Sequence, residues 1–324
     1  MNAIALIIYR TFITVKGNRF MEPKEYYQHN GYIVFPNLIA VELIERLLDL
    51  YGKEIVPSRY PFFRQSTNQY EINRLNKFGH VEQSFLDIHD YEKFAEFSNI
   101  AKEIYCSDSL QDALRQITGS PSFNLMQTML FDANTETQPH QDWWYLDTVP
   151  NGHLVGAWIA LEDIDERAGR FYVMPKSIEN PDFHSDTPNL SHSEWLQRIK
   201  AYFEFNQNEL KAPELKKGDV LFWNSRTVHG ALPTQERCYS RKSLTGHYIP
   251  SEYKFGNLFT TKDYIAYQNY KGVNFYRNQP DYSLTNVMKT KIKNFAYDSP
   301  VLLKIMRQVQ AGLGNSNANA GNKR

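Results

Sequence analysis

From residue 122 to residue 248 the sequence alternates short apolar runs with clusters of Gly, Pro, Asn and Asp. That pattern restricts the chain to short strands joined by turns, which is to say a sandwich or a barrel. The predicted strands lie at 123–131, 154–161, 170–174, 220–223 and 240–248. Gly218-Asp219 supplies the turn that feeds Val220-Leu-Phe-Trp223.

The earlier part of the chain has a different period. Glu25-Tyr-Tyr-Gln-His-Asn-Gly31 reads as a short helix closed by glycine, and Tyr32-Ile-Val-Phe35 as a short strand. Asn37 is the expected cap of a helix whose residues Val41, Leu43, Ile44, Leu47, Leu48 and Tyr51 recur at helical spacing. A second helix is expected from near Asp90, with Phe94, Phe97, Ile100, Ala101 and Ile104 on one face. A third is expected from about Ser107 to just before Gly119. These helices should pack on the outside of the sheet. A long polar insert covers 178–217, with a helix near 195–205, and inserts of this length tend to shape the mouth of a barrel. Residues 253–282 are irregular and aromatic, a helix near 300–310 is expected to close the fold, and 311–324 reads as a disordered tail.

A chain of 324 residues with 42% hydrophobic composition can bury a large core. The expectation is a single domain over 22–310, preceded by an extension at 1–21 in which Met21 is an alternative start. The apolar beginning, Met1-Asn-Ala-Ile-Ala-Leu-Ile-Ile, is too short to span a bilayer and lacks a basic start and a cleavage site. Thirty-six basic and 36 acidic residues give a net charge of +0, which argues against nucleic acid or a membrane surface as the partner. Two cysteines, Cys106 and Cys238, cannot form a disulfide framework, so a reducing, cytoplasmic setting is expected.

His140-Gln-Asp142 carries the chemistry. On an extended segment, side chains two apart share a face, so an imidazole and a carboxylate would point into one cavity. His229, in Trp223-Asn-Ser-Arg-Thr-Val-His-Gly230, is the third donor expected from a neighbouring strand. Two histidines and one carboxylate form a facial triad, which leaves three positions open on octahedral iron(II) for a chelating 2-oxo acid and dioxygen (O2). Such a co-substrate needs a cation for its far carboxylate. Arg241, twelve positions beyond His229, has the planar fork for this, and Ser243 shares its face. Lys242 should point the other way, and Arg237 in the preceding turn is read as solvated.

With these residues in place, the chain resembles the phytanoyl-CoA dioxygenase family over about 26–250. Tyr26-Tyr-Gln-His-Asn-Gly-Tyr-Ile-Val-Phe-Pro36, His140-Gln-Asp-Trp143, Gly156-Ala-Trp-Ile-Ala-Leu-Glu-Asp163, Gly169-Arg-Phe-Tyr-Val-Met-Pro-Lys-Ser177 and the segment from Gly218 to Gly230 follow in family order. The resemblance implies a mainly β fold with flanking helices, a double-stranded β-helix or jelly roll of the cupin type. It carries the metal triad onto His140, Asp142 and His229 and the 2-oxoglutarate anchor onto Arg241. It also places Trp158 beside the co-substrate and Gln127 on the cavity wall. The segment between Phe131 and His140 is short, so family contacts there are not transferred, and Ala231 lacks a hydroxyl that some relatives have.

The activity so implied is oxidative decarboxylation of 2-oxoglutarate to succinate and CO2, coupled to hydroxylation of a small molecule. Halogenating relatives lack the carboxylate that Asp142 provides. Desaturation and cyclisation use the same oxidant and stay open. Trp143, Trp144 and Tyr145 are the expected substrate wall, Trp144 by sharing the parity of His140 and Asp142. A non-catalytic jelly-roll binding protein and a zinc hydrolase are the competing classes. The first would have lost a ligand, and the second leaves Arg241 without a role.

Overall fold

Short β-branched and aromatic runs between turns build the sheets, and amphipathic runs in the first third build the helices. The computed structural model describes residues 13–15, 19–67, 69–180, 190–257 and 268–276. The expected closing helix and tail lie outside these residues. Chain contacts define one unit of 1–58 with 62–278, and a second of 59–61 with 279–324. Every element below belongs to the first.

The strands in chain order are β1 Ile13–Val15, β2 Arg19–Met21, β3 Tyr32–Phe35, β4 Phe62–Arg64, β5 Gln69–Glu71, β6 Phe85–Leu86, β7 Phe123–Phe131 and β8 Asp147–Val149. They continue as β9 Val155–Ala160, β10 Phe171–Val173, β11 Val220–Asn224, β12 His229–Ala231, β13 Ser243–Pro250, β14 Lys254–Gly256, β15 Gln268–Tyr270 and β16 Val273–Phe275. The α-helices are α1 Pro23–Asn30, α2 Val41–Leu50, α3 Ala95–Tyr105, α4 Asp108–Thr118 and α5 His192–Phe205.

An eight-stranded sheet runs β15-β16-β7-β13-β9-β11-β3, with β6 added on β7. Facing it, β10 pairs with β12, and single bridges extend that pair: His140 to His229 on one side and Val173 to Lys211 on the other. Trp158, Phe171, Val173, Leu221 and Trp223 fill the space between the two layers. This is the expected jelly roll, and its central strands are buried on both faces because the helices cover the outside. The Tyr105 hydroxyl of α3 donates to the carbonyls of Met129 and Thr245 on β7 and β13. Fully burying each such large apolar side chain contributes roughly 1.5–3 kcal/mol, so the two-sided core supplies most of the driving force.

Two helix boundaries differ from expectation. Asn37 is no cap: it sits at φ 50 with its N–H on Asp219 Oδ1 at 2.8 Å, and α2 begins four residues later after Ala40. The turn is held from outside the segment, by the Gly218 carbonyl accepting from Leu38 and Ile39. The helix expected from Asp90 starts at Ala95, because residues 88–90 and 92–94 form two 3-10 turns. In the polar insert α5 begins with a reciprocal cap. The Ser191 hydroxyl accepts from the Glu194 N–H, and the Glu194 carboxylate accepts from the Ser191 N–H.

Candidate metal centre

His140 and His229 exchange backbone hydrogen bonds, each N–H donating to the other's carbonyl at 3.0 Å. Directly opposed residues put their side chains on one face, so the two imidazoles lie 4.3 Å apart, centroid to centroid. Asp142 comes in differently from the expected continuous strand. Gln141 is extended, but Asp142 opens a 3-10 turn through Trp144, closed by Tyr145 and Leu146 N–H groups on the Asp142 carbonyl. The turn brings Asp142 Oδ1 to 3.7 Å from His140 Nε2 and 3.6 Å from His229 Nε2. One ligand atom from each of the three residues lies within 4.8 Å of the other two.

The protonation of these groups follows from their partners. His140 Nδ1 lies 2.8 Å from the Gln138 carbonyl, and His229 Nδ1 2.9 Å from the Thr227 carbonyl. A carbonyl only accepts, so each Nδ1 carries a proton, and in the neutral ring Nε2 then presents the lone pair. Burial pushes the His229 imidazole down to about 3, against the pull of Asp142. Burial alone would raise the Asp142 carboxyl, but the facing His229, His247 and His140 rings outweigh it and hold it below the usual carboxylate range. Two imidazole lone pairs and an anionic oxygen thus converge on one point. Acceptors gathered this closely need a cation between them, and these are the states a metal ion requires of its ligands.

The depressed His229 has a measurable consequence. Below its ordinary value of 6.5 the unfolded chain takes up a proton that the folded chain refuses until about pH 3. The unfolded state then binds more protons, so stability rises with pH across that window. Metal-free protein should melt at a lower temperature at pH 5.5 than at pH 7.5, followed by circular dichroism. His229→Gln should shrink the difference, and an unchanged difference would contradict a buried neutral His229.

The remaining expected site residues fall into two groups. Arg241, Ser243, Trp158 and Gln127 share one face of the sheet by strand parity, with Trp158 opposite Thr245 and Gln127 further along, opposite His247. Arg241 is 2% exposed; one Nη donates to the Gly169 carbonyl at 3.3 Å, and its Nε has no partner among the described residues. Burial with no compensating charge lowers its pKa to about 10. The rings of Trp158 and Phe131 each lie 5.9 Å from the guanidinium. Ser243 Oγ and Gln127 Oε1 are likewise buried without partners. Lys242 turns away to Asp132 and Glu162, at 3.4 and 3.3 Å, and Arg237 is exposed.

The expected substrate wall is only partly assembled. The 3-10 turn breaks the strand parity assumed for Trp144, which stacks on Trp195 of α5 at 4.6 Å instead of pointing at the site. Trp143 is buried behind it, its Nε1 donating to Gln141 Oε1 at 2.6 Å. Tyr145 alone stays at the mouth, 42% exposed, with its ring 6.3 Å from that of His140 and its hydroxyl 2.8 Å from His192 Nε2. Sequence reasoning assigned no role to Trp223 or His247, both of which reach Asp142. His247 shares the strand parity of Arg241 and Ser243, and that signal was available.

Several solved structures share this architecture. The epimerase SnoN in complex with Fe3+, alpha ketoglutarate and nogalamycin RO matches with a TM-score of 0.51 at 17% identity, over 72% of this chain and 85% of that one. EctD from S. alaskensis with 2-oxoglutarate and 5-hydroxyectoine matches with a TM-score of 0.51 at 15% identity, over 71% and 76%. The likeness defines the class by its fold, a jelly roll, here with a His-Asp-His set clustered inside it. The profile of the family described as Phytanoyl-CoA dioxygenase (PhyH) matches residues 27–243, and the chain belongs to that family. Peroxisomal phytanoyl-CoA dioxygenase of Bos taurus is 24% identical over 245 residues, covering 70% of this chain and 68% of the relative. The Homo sapiens protein is 23% identical over 251 residues, covering 72% and 69%. A dioxygenase-type function follows from membership. Among the described residues no helix is long and apolar enough to cross a membrane.

Proposed function

We propose that this chain is an iron(II)- and 2-oxoglutarate-dependent oxygenase that hydroxylates a carbon of a small-molecule metabolite or biosynthetic intermediate, releasing succinate and CO2. The observation that carries this reading is Arg241. A buried guanidinium with no carboxylate beside it among the described residues is expensive to maintain, and it calls for an anion that arrives as a ligand. A diacid held at one end by the metal and at the other by Arg241 meets that need.

His140, Asp142 and His229 would hold iron(II), and the bound metal with 2-oxoglutarate would supply the oxidising chemistry. The chain's own residues bind and orient. The carbonyls of Gln138 and Thr227 fix both imidazoles with Nε2 inward. Arg241 and Ser243 receive the distal carboxylate, and Trp158 and Phe131 keep water from the guanidinium, which strengthens the ion pair. Gln127 offers a hydrogen-bonding group on the cavity wall, and Tyr145 contacts substrate at the mouth. We read 22–310 as one oxygenase domain, supported by the family match inside it, and a reducing compartment from two free cysteines.

The test is a succinate assay on purified protein with a metabolite panel. Oxygen-dependent conversion of 2-oxoglutarate to succinate is expected with iron(II) and not with zinc(II). Binding of 2-oxoglutarate without turnover across the panel would favour the binding-protein reading. Zinc-supported hydrolysis of an ester or amide would favour the hydrolase.

A further inference from the structure

Three adjacent strands set three residues in direct register beside the metal centre. His247 of β13 pairs with Gly156 of β9, and Gly156 pairs with Trp223 of β11. The middle position has no side chain, and the space is taken: a Cβ at Gly156 would lie 2.1 Å from the Trp223 indole. The indole and the imidazole therefore lean together over Gly156, 5.9 Å apart and at 86°. Both aim at one atom. Trp223 Nε1 donates to Asp142 Oδ2 at 2.8 Å, and His247 Nε2 lies 3.5 Å from the same oxygen. The other oxygen, Oδ1, is the one that faces His140 and His229.

We propose that Trp223 and His247 are positioning residues that clamp Oδ2 of Asp142, so that only Oδ1 is offered to the metal. This rests on the metal-centre reading above. An indole N–H only donates, so the oxygen it holds has one lone pair committed away from the cation. His247 Nε2, long for a hydrogen bond here, needs a small closing motion to commit the second. A carboxylate held in this way binds through one oxygen. A two-oxygen mode would occupy one of the three positions that a chelating co-substrate and dioxygen need. The clamp also fixes the direction of Oδ1, which an unrestrained Asp142 side chain would not keep. Groups that orient a metal ligand from behind are worth about 10–100-fold in metal affinity.

The experiment uses full-length metal-free protein and Mn(II) as probe, read by electron paramagnetic resonance, beside the unaltered protein. Trp223→Phe keeps the ring and removes the donor, and His247→Ala removes the imidazole. Each should weaken Mn(II) binding about 10–100-fold. His247→Gln, whose amide N–H can reach the same oxygen, should recover part of the loss, which a general packing defect would not allow. The spectrum of bound Mn(II) should also change in Trp223→Phe. Melting of the metal-free variants shows which of them fold, and the two histidine variants decide the matter if Trp223→Phe does not. Affinities within twofold of the unaltered protein in the folded variants would overturn the clamp while leaving the metal centre standing. Failure of the unaltered protein to bind Mn(II) would overturn both, a pattern readily told apart.

Discussion

Asp142→Ala should abolish iron-dependent succinate release and leave a folded protein. The substitution removes the only anion among the three ligand groups and leaves two imidazoles beside an open position, a far weaker hold on iron(II). Metal affinity should fall by more than about 100-fold, beyond what the loss of a supporting contact produces. Trp223 Nε1 loses its acceptor in the same step, a cost of about 1–3 kcal/mol. The fold survives because the inter-layer core of Trp158, Phe171, Leu221 and Trp223 does not depend on the carboxylate. His140→Ala should give the same result for turnover. Circular dichroism with metal titration checks both, and full activity in either variant would refute the ligand assignment.

Arg241→Met separates the co-substrate from the metal. Truncating one partner of a buried, hydrogen-bonded charge pair costs about 2–5 kcal/mol, so the 2-oxoglutarate needed for half-maximal turnover should rise by about two orders of magnitude. Mn(II) affinity in the absence of 2-oxoglutarate should not change. A second effect has the opposite sign. The ligand-free protein carries this guanidinium buried against Trp158 and Phe131, with no described carboxylate to offset it. Replacing it with an apolar side chain of similar length should raise the melting temperature of the ligand-free protein. In the unaltered protein 2-oxoglutarate should stabilise the metal-bound form, and in the variant it should not. An unchanged 2-oxoglutarate requirement would shift the anchor to another cation, with Arg237 the first to examine.

What could be read from the sequence was set by how local each signal is. β7 was legible to the residue, Phe123–Phe131, because seven of its nine residues are apolar or β-favouring and the run stands between turn signals. Helix α5, expected near 195–205, was legible in its body, and its start at His192 is set by the Ser191 and Glu194 capping pair, which the sequence reading did not use. The hairpin of β4 and β5 was not. Gln69-Tyr-Glu71 is short and largely exposed, and pairing with Phe62–Arg64 alone makes it a strand. Asn37 has the chemistry of a cap, yet the Gly218-Asp219 turn takes its N–H and moves the helix start to Val41. At the site, residue types and spacing pointed to His140, Asp142, His229 and Arg241. The 3-10 turn at Asp142 was hidden because Asp142-Trp-Trp144 has no helical period, and it redirected Trp144 into the seat of α5. The face of His247 follows from the parity of Arg241 and Ser243, but its meeting with Trp223 comes from the register of three strands across Gly156, which no linear spacing reveals.

A crystal structure of the protein grown anaerobically with Mn(II) and 2-oxoglutarate probes the whole arrangement in one measurement. The expected density shows one ion bound by Nε2 of His140, Oδ1 of Asp142 and Nε2 of His229, with the diacid reaching from that ion to the Arg241 fork. An ion seated elsewhere, a fourth protein ligand closing the open face, or a diacid whose far carboxylate avoids Arg241 would contradict the account.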